Sequence, residues 1–498
     1  MSPASSTGNR STRALVLSGL AWNTLFQFFG MALNLVVMLL TVRLISPGEF
    51  GKLATMAGIL AFVNVLNCEA FVSHAVQLGE GQEPDWDAYW SLAVRHQFLL
   101  FVLCNVVAAA LWTLPTHRPV APMLHVASLG LLWDSAARLR ANMLRRELDF
   151  RRLRILSAAC SLASAAVTLT MALAGHGAMS LVIGGYVVYT LPSVVDLFWL
   201  RQWRPVNSWL PAVRVASLAS VFSFGLHQAA VNAVAMAREA LEAAVIPGLI
   251  GYTGFGLWSR AQVLYQTSAG RAVGIIAETA YPVLPRSSGD DVRYRRHATL
   301  FAQIVMAIGV FGVFYVGSNG IALSRVLYGL KWAGADALIL PGTIFGFGSV
   351  AFAVAGNVLL AANSLRKRFI AISLQAVVGA VGIGVLAFQA QIGVYAWTLA
   401  ALQVVAGVVA LLLAVEYFEH GWLRRVWLIP GCAAIAGAAA VLLVERFAGV
   451  RAGAQLLLNT VAYGLVAGLV MRWCFPAFVR DSLKVVPKGE TIGRFLRL

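Results

Sequence analysis

The dominant pattern along the chain is a series of long apolar runs separated by short polar connections. A membrane-spanning helix needs about 20 consecutive, mostly apolar residues. Runs of this length recur throughout the sequence, so we predict an all-α integral membrane protein with about 14 transmembrane helices. The predicted spans are 14–44, 50–77, 92–114, 121–138, 153–175, 178–200, 222–248, 253–282, 298–318, 335–363, 369–389, 394–415, 426–445 and 453–475.

Two similar corners divide these spans into two sets of six. The first span is followed by SPGEFG at 46–51, and the seventh is followed by GYTGFG at 251–256. Each of these spans also opens with Gly-Leu, at 19–20 and 225–226. Because six is even, both sets enter the membrane from the same side, as parallel repeats do. The pattern predicts two six-helix lobes followed by two extra C-terminal helices.

The spans also predict where the parts of the chain begin and end. They are a cytoplasmic leader (1–13), an N-lobe with helices 1–6 (14–205), a C-lobe with helices 7–12 (206–421), helices 13 and 14 (422–476), and a cytoplasmic tail (477–498). The apolar run behind the leader is longer than the core of a signal peptide. We therefore expect the first helix to remain in the protein.

Composition and charge agree with the membrane class. Hydrophobic residues make up 59% of the chain and charged residues only 12%, against about 25% charged residues in soluble domains. The net charge of +17 lies between apolar spans and not on one soluble face, so we expect no nucleic-acid partner. With the N-terminus inside, most of the 38 Lys and Arg residues fall in cytoplasmic connections. This distribution predicts that both termini are cytoplasmic.

The sequence contains no motif of a soluble enzyme. We find no phosphate-binding GxxxxGK[ST] loop and no defensible Ser/His/Asp constellation. The five cysteines are isolated in or beside apolar runs, and the histidines in the spans occur singly. We therefore expect no enzymatic activity, no cofactor and no metal site.

Basic residues inside the spans are candidate substrate-binding groups, because a charge at the bilayer centre costs about 2.5–3.5 kcal/mol or more. In span 8, Arg260, Thr267 and Arg271 share one helical face by their spacing. In span 7, Arg238 precedes Glu242 by four residues, which allows them to pair. Guanidinium forks in a central cavity would bind concentrated negative charge. The alternative is that these arginines only hold helices together.

Two further groups of polar residues are candidates. In span 1, Asn23, Gln27 and Asn34 form a stripe that would hydrogen-bond sugar hydroxyls, or else join this helix to its neighbours. Carboxylates within spans are candidates for ion coupling, because a buried carboxylate can carry a proton; the alternative for each is a role in helix packing. These carboxylates are Glu69, Asp134, Glu239 and Glu242.

Two segments carry a resemblance to a known family. The segment RLISPGEFG at 43–51 resembles the corner after helix 1 in Wzx-type polysaccharide flippases. The segment MLRRELDFR at 143–151 resembles a loop in their colanic-acid-exporter-like branch. These flippases belong to the multidrug/oligosaccharidyl-lipid/polysaccharide superfamily, whose members have six plus six helices and often two more.

The resemblance implies a flippase of the bacterial inner membrane. It would translocate undecaprenyl-pyrophosphate-linked oligosaccharide repeat units, by alternating access, for exopolysaccharide or O-antigen assembly. Its partners would be the lipid-linked oligosaccharide and membrane lipids, with a polysaccharide polymerase and co-polymerase as candidates.

Two other functions share this architecture. A multidrug extruder of the same superfamily would need an acidic or aromatic cavity for cationic drugs, whereas span 8 offers two arginines. A membrane-embedded polysaccharide polymerase or ligase is expected to carry a long periplasmic loop. The longest predicted outside connection has only about 15–20 residues, which disfavours that alternative.

The charge distribution yields a test of topology. We predict that a reporter fused after Leu498 is cytoplasmic and that one fused near Gly177 is periplasmic. Alkaline phosphatase fusions, active only in the periplasm, and fluorescent-protein fusions, active only in the cytoplasm, measure both positions. A C-terminal phosphatase fusion with full activity would contradict the predicted topology.

Overall fold

The predicted succession of helices is present in the structure. The computed structural model describes residues 32–72, 83–147, 149–201, 215–266, 290–448 and 452–483, and the single residues 26, 29, 30, 75, 203, 270, 271, 273, 274 and 284. Fourteen long helices and no strand occur in these described residues. The predicted all-α class with about 14 helices is confirmed.

Each long helix overlaps one predicted span, in chain order. Ten stretches of the described residues are long and apolar enough to cross a membrane. The helices are α1 (Ala32–Leu44), α2 (Pro47–Asn64), α3 (Trp86–Thr113), α4 (Ala121–Arg146), α5 (Phe150–Leu173), α6 (Met179–Leu200), α7 (215–250), α8 (252–265), α9 (Asp291–Leu327), α10 (Asp336–Ala361), α11 (Leu365–Gln389), α12 (Ile392–Leu413), α13 (Ile429–Ala448), α14 (Ala452–Cys474) and the short α15 (Pro476–Leu483).

The outer surfaces of these helices are apolar. Large side chains such as Phe98, Leu173 and Phe388 are 57%, 73% and 92% exposed. Soluble proteins rarely expose apolar patches of this extent, so these surfaces fit contact with lipid chains. Trp199 and Trp473 are also exposed and lie at the ends of α6 and α14, where amphipathic indole rings meet lipid headgroups.

The chain divides into two compact units, Met1–Gly248 and Leu249–Leu498. The first unit contains α1 to α6 and α7 as far as Gly248, and the second contains the last two residues of α7 and α8 to α15. The predicted lobes, by contrast, meet at 205 and 206, which is a boundary between sequence repeats. That boundary stays a prediction.

Several helices begin at residues whose side chains cap them. Ser46 caps α2, with Pro47 as the first helical residue. Asp149 caps α5 by accepting a hydrogen bond from the backbone N–H of Arg152 at 3.0 Å. Asp290 caps α9 by accepting two backbone hydrogen bonds at 3.1 Å. These carboxylates and hydroxyls satisfy backbone N–H groups that have no partner within the helix.

The two corners noted in the sequence have matching layouts. The non-helical residue is Ser46 in the first corner and Gly251 in the second. Four residues later in each corner, Phe50 and Phe255 are 3% and 6% exposed. Each ring is therefore packed in the interior beside its corner. Gly251 has φ 75° and ψ 166°, a conformation that only glycine adopts without strain. This residue separates α7 from α8.

The second predicted span is not continuous. The helix α2 ends at Asn64, and a short helix follows at Glu69–Val72. Between them, Asn67 Oδ1 accepts a hydrogen bond from the backbone N–H of Glu69 at 2.9 Å. Asparagine side chains compete with helical hydrogen bonding in this way. The break places Glu69 at the start of a new helical turn.

Helix α6 is irregular. Residues Ile183–Val188 and Asp196–Leu200 have the wider hydrogen bonding of a π-helix, and Tyr189 and Thr190 form a turn between them. The indole Nε1 of Trp133 donates to the backbone oxygen of Val187 at 2.9 Å. Within a membrane, irregular backbone requires such a partner, and π-turns are frequent at functional sites.

The second unit has an aromatic core. The buried Trp258 packs edge-on against Phe345 and Tyr395, with ring centroids 6.2 and 5.8 Å apart. Edge-to-face contacts of this kind stabilise beyond the area that they bury. Tyr328 donates its hydroxyl proton to the backbone oxygen of Arg260 at 3.4 Å, which fixes the middle of α8.

The close approach of α5 and α6 predicts different effects at two adjacent glycines. A Cβ at Gly184 would lie 1.9 Å from Thr168 Oγ1 and 2.9 Å from the backbone oxygen of Ser164, whereas a Cβ at Gly185 would meet nothing within 4 Å. We expect Gly184→Ala to destabilise the protein by about 1–3 kcal/mol through overpacking. Gly185→Ala should stay within about 0.5 kcal/mol.

Thermal melting of the two detergent-solubilised variants, followed by fluorescence-detected size-exclusion chromatography, measures this difference. Gly185→Ala is the matched control, because both glycines lie in the same π-helical segment. Equal melting temperatures for the two variants would show that α5 and α6 are not packed this closely.

Candidate functional site

The structure joins two of the predicted carboxylates through one arginine. Arg138 Nε lies 2.8 Å from Asp134 Oδ2, and Arg138 Nη1 lies 3.3 Å from Glu69 Oε2. A second arginine, Arg145, places its Nη1 2.8 Å from Glu69 Oε1. We call Glu69, Asp134, Arg138 and Arg145 the charge cluster.

The local sequence explains how the charge cluster forms. Asp134, Arg138 and Arg145 lie on α4 at helical spacings of four and seven residues, so they project from one face. Glu69 reaches this face because the chain breaks after α2 and restarts at Glu69 itself. Gln97 of α3 donates a further hydrogen bond to Asp134 Oδ2 at 2.9 Å.

The charge cluster is partly withdrawn from solvent. The side chain of Asp134 is 14% exposed, those of Glu69 and Arg138 are 30% and 31% exposed, and that of Arg145 is 44% exposed. Two guanidinium groups face two carboxylates, so their formal charges cancel. This balance is what a partly buried site requires, because an unpaired charge there is costly.

The charge cluster lines a cavity of about 250 Å³, which we call the first-unit cavity. Its other walls come from α5 and α6, including the turn between the two π-helical segments of α6. Polar groups on these walls are Ser157, Cys160, Tyr189, Thr190 and Ser193. Charged and hydroxyl groups therefore face one partly open cavity.

A second ion network holds α4 to α5 and α6. Arg140 Nε contacts Asp196 Oδ2, and Arg152 Nη2 lies 3.2 Å from Asp196 Oδ1. The side chains of Arg140 and Asp196 are 1% and 7% exposed, so this carboxylate compensates charge in the interior of the bundle. Sequence analysis did not identify these residues, although an acid near the end of an apolar span was a visible signal for Asp196.

In the second unit, Arg271 lines a cavity of about 530 Å³ together with Tyr265, Gln266, Gly274 and Ser349. The described lining of this cavity does not include Arg260. The expectation that Arg260 and Arg271 share one helical face stays a prediction. Gln266 and Gly270, which lie between these arginines in the sequence, have π-type hydrogen bonding.

The structure pairs Arg238 with acids on its own helix. Arg238 Nη1 contacts Glu242 Oε1, and Arg238 Nη2 lies 3.7 Å from Glu239 Oε1. Glu242 is 6% exposed and Glu239 is 51% exposed. Roles of these residues in substrate binding or ion coupling stay predictions.

The structure describes only some of the other predicted site residues. Asn34 is described and is exposed on α1. Asn23, Gln27 and Thr267 lie outside the described residues. Within the described part of the chain, no group of three or more His, Cys, Asp and Glu side chains is arranged to hold a metal ion.

Comparison with known sequences decides the family. The family described as "Polysaccharide biosynthesis protein" matches residues 40–337, which is more than half of the chain. The chain belongs to this family of polysaccharide biosynthesis proteins. Both segments that carried the resemblance, 43–51 and 143–151, lie within the matched residues, and the resemblance is confirmed.

Two relatives within polysaccharide biosynthesis are similar to this chain. The succinoglycan biosynthesis transport protein ExoT of Rhizobium meliloti (strain 1021) is 23% identical over 325 residues, covering 64% of this chain and 63% of that protein. The lipopolysaccharide biosynthesis protein WzxC of Escherichia coli (strain K12) is 20% identical over 329 residues, covering 65% of each chain. The alignments thus span slightly less than two thirds of each relative.

Solved structures confirm the fold expected of this polysaccharide biosynthesis protein. The lipid II flippase MurJ, in its inward closed conformation, matches with a TM-score of 0.69 at 12% identity, covering 90% of this chain and 98% of that one. A multidrug resistance MATE family transporter of the MOP superfamily, facing inward, matches with a TM-score of 0.58 at 12% identity, covering 78% and 94%. At this identity, the likeness establishes the fold alone.

The ion pairs of Arg138 predict a stability effect. We expect Arg138→Gln to destabilise the protein by about 1–3 kcal/mol, because Asp134 and Glu69 lose hydrogen bonds and compensating charge. Adding Asp134→Asn should recover part of this loss, since it removes one uncompensated carboxylate. Thermal melting of the single and double variants in detergent measures both steps.

Arg325→Gln serves as the control for this experiment. Arg325 lies 3.4 Å from Asp336 and is 52% exposed, so its loss should cost at most about 1 kcal/mol. Arg138→Gln melting at the same temperature as Arg325→Gln would contradict a supporting role for the charge cluster.

Proposed function

We propose that the protein is a flippase that translocates undecaprenyl-pyrophosphate-linked oligosaccharide repeat units across the bacterial inner membrane. The observation that carries this proposal is its relation to ExoT and WzxC, which are named for transport in succinoglycan biosynthesis and for lipopolysaccharide biosynthesis. The fold shared with MurJ, named a lipid II flippase, supports it. Exopolysaccharide or O-antigen assembly would use the translocated repeat units.

Translocation would proceed by alternating access, as transporters built from repeats do. The proposed role needs no catalytic step, so the protein is not an enzyme in this proposal. It is a multi-pass inner-membrane protein with both termini in the cytoplasm, and it works with membrane lipids. A polysaccharide polymerase and co-polymerase are its proposed downstream partners.

Arginines would bind the pyrophosphate, and amides and hydroxyls would bind the sugars. Arginine offers a planar fork to phosphate oxygens, which suits a doubly charged linker group. Arg271 favours this assignment, because it is exposed and lines the cavity of the second unit. The substrate-binding residues predicted from the sequence, which this proposal keeps, are Asn23, Gln27, Asn34, Arg238, Arg260, Thr267 and Arg271.

Carboxylates within the helices would couple transport to an ion. Glu69 and Asp134 suit this role best, since both line the first-unit cavity, where an ion can reach them. Glu239 and Glu242 are the other proposed coupling residues, and both lie beside Arg238. An acid within a membrane span is costly to keep without a function.

A second candidate function is multidrug extrusion, which the likeness to a MATE family transporter favours. Membership of the polysaccharide biosynthesis family and the arginines in the helices weigh against it, because cationic drugs need acidic or aromatic sites. Drug susceptibility of a deletion strain distinguishes the two functions. Increased susceptibility with normal surface polysaccharide would favour the extruder.

Deletion of the gene tests the flippase function. In a strain with no second flippase, we expect surface polysaccharide to disappear and lipid-linked repeat units to accumulate on the inner leaflet. Immunoblotting of surface glycan and mass spectrometry of the lipid extract measure the two effects. Normal surface polymer in a clean deletion would reject the function.

Complementation of that strain tests the arginines. The double variant Arg260→Ala, Arg271→Ala should not restore export at normal protein abundance, whereas lysine at both positions should restore it in part, because lysine keeps charge but loses the fork. Arg325→Ala is the control, because Arg325 is half exposed in a surface ion pair. Export at the wild-type level by the double alanine variant would reassign both arginines to structural roles.

A further inference from the structure

The two arginines of the charge cluster have N–H groups that donate no hydrogen bond to a described residue. Arg138 uses Nε and Nη1 for its two carboxylates. Arg145 uses Nη1 alone, for Glu69 and for Asn142 Oδ1 at 3.2 Å. Since a guanidinium carries five N–H donors, the remaining N–H groups of both arginines are available to a ligand. Both side chains line the first-unit cavity.

The wall that α6 contributes to the first-unit cavity also has a polar group without a described hydrogen-bond partner. Thr190 Oγ1 is buried and has no hydrogen-bond partner among the described residues. It lies at the turn in α6, next to Tyr189 and near Ser193, and all three line the cavity. Irregular backbone at membrane depth occurs where it lines a cavity, and buried polar atoms without partners are rare. The wall therefore has the character of a binding surface.

We propose that the first-unit cavity binds a diphosphate group through Arg138 and Arg145, and that this binding draws a proton onto Glu69 or Asp134. The site would then couple the anion to the proton, with the carboxylates and the diphosphate competing for the same guanidinium groups. This inference rests on the proposed function only in attributing the diphosphate to a lipid-linked carrier.

The volume of the first-unit cavity and the charged groups on its wall favour a diphosphate as the ligand. A cavity of about 250 Å³ is smaller than the sites of ~300–1,000 Å³ that hold drug-sized ligands. It suits a single head group and not a whole oligosaccharide. A neutral sugar would leave both ion pairs of Arg138 unchanged. A diphosphate, by contrast, would accept hydrogen bonds from the unused N–H groups of both arginines as a bidentate ligand.

The charge balance explains why a proton should follow. The two guanidinium groups are already neutralised by two carboxylates. A diphosphate on the unused N–H groups adds negative charge beside Glu69 and Asp134, so the two guanidinium groups no longer balance the negative charge of this partly buried site. Such carboxylates favour the neutral form. Protonation from solvent removes the excess negative charge.

The other titratable groups near the charge cluster do not compete for this proton. Cys68 lies beside Glu69 and Asp134, Cys160 comes from α5, and Tyr189 comes from α6. Thiol and phenol groups are already protonated at neutral pH. Arg154 is the remaining charged group close to Tyr189, and arginine stays protonated. The carboxylates are thus the acceptors.

Calorimetry on the full-length protein in nanodiscs tests the proposal. Titration with inorganic pyrophosphate and with farnesyl diphosphate, in buffers of different ionisation enthalpy at pH 7, gives the number of protons taken up with each ligand. We expect the wild type to take up about one proton more per bound diphosphate than the Glu69→Gln, Asp134→Asn double variant, because the ligand's own phosphate groups titrate near pH 7 and contribute equally to both. This additional uptake with both ligands assigns recognition to the diphosphate itself, and additional uptake with farnesyl diphosphate alone adds the lipid chain to it. No additional uptake with either ligand overturns the proposal.

Variants assign the proton to its acceptors. Glu69→Gln with Asp134→Asn should bind diphosphate up to about fivefold more tightly, because the guanidinium groups are released from partly exposed ion pairs. The same variant should lack the additional proton that the wild type takes up. Arg138→Gln should weaken binding at least about tenfold, whereas Arg145→Lys should retain part of it. If the double variant does not fold, each single carboxylate variant must still bind more tightly than the wild type.

Glu416→Gln is the matched control. Glu416 pairs with Lys367 at 2.8 Å in a connection after α12. Hydrogen bonds from Lys367 and Tyr417 lower the pKa of Glu416, so it stays ionised at pH 7. We expect Glu416→Gln to take up as many protons per bound diphosphate as the wild type does. Equal uptake in the Glu69 and Asp134 double variant would reject the assignment, while normal export by that variant in cells would leave the flippase function intact.

Discussion

The cost of an uncompensated charge inside a helix bundle determines how the first unit is assembled. Helix α4 carries arginines on two sides, and carboxylates compensate the charge on each side. Arg138 faces Glu69 and Asp134, whereas Arg140 faces Asp196 of α6. Two residues along an α-helix correspond to a rotation of about 200°, so these ion pairs hold α4 from nearly opposite directions. The place of Glu69 beside α4 and the charged wall of the first-unit cavity depend on these contacts.

Hydropathy predicted the number and order of helices because apolar length is a physical requirement of every span. Caps and corners were predictable for a similar reason, since Ser46 and Asp149 act on neighbouring residues. The charge cluster was only half predictable. Glu69 and Asp134 stood out as acids within spans, but Glu69 meets Arg138 and Arg145 across 69 and 76 residues. No periodicity connects residues so far apart, and both arginines lay in a basic run typical of topological signals.

The departures from regular helices could not be predicted from the sequence pattern. A spacing argument assumes 3.6 residues per turn throughout, and this assumption fails where π-type hydrogen bonds occur, as at Gln266 and Gly270. In α6, the irregular turn depends on Trp133, a residue 54 positions away from Val187. The break after α2 depends on the local hydrogen bond of Asn67. Such features are set by particular partners and not by a repeating pattern.

The π-helical segment Ile183–Val188 makes the length of α6 as important as its composition. A π-turn closes over one residue more than an α-turn. Removing a single residue there would restore α-helical bonding and leave the residues beyond it nearly in their present orientation. The widened turn before Tyr189 and Thr190 would close, and Trp133 would lose its hydrogen bond to the carbonyl of Val187. In this stretch, a single-codon deletion is thus a larger change than most substitutions, and a one-residue gap in an alignment marks a different cavity wall.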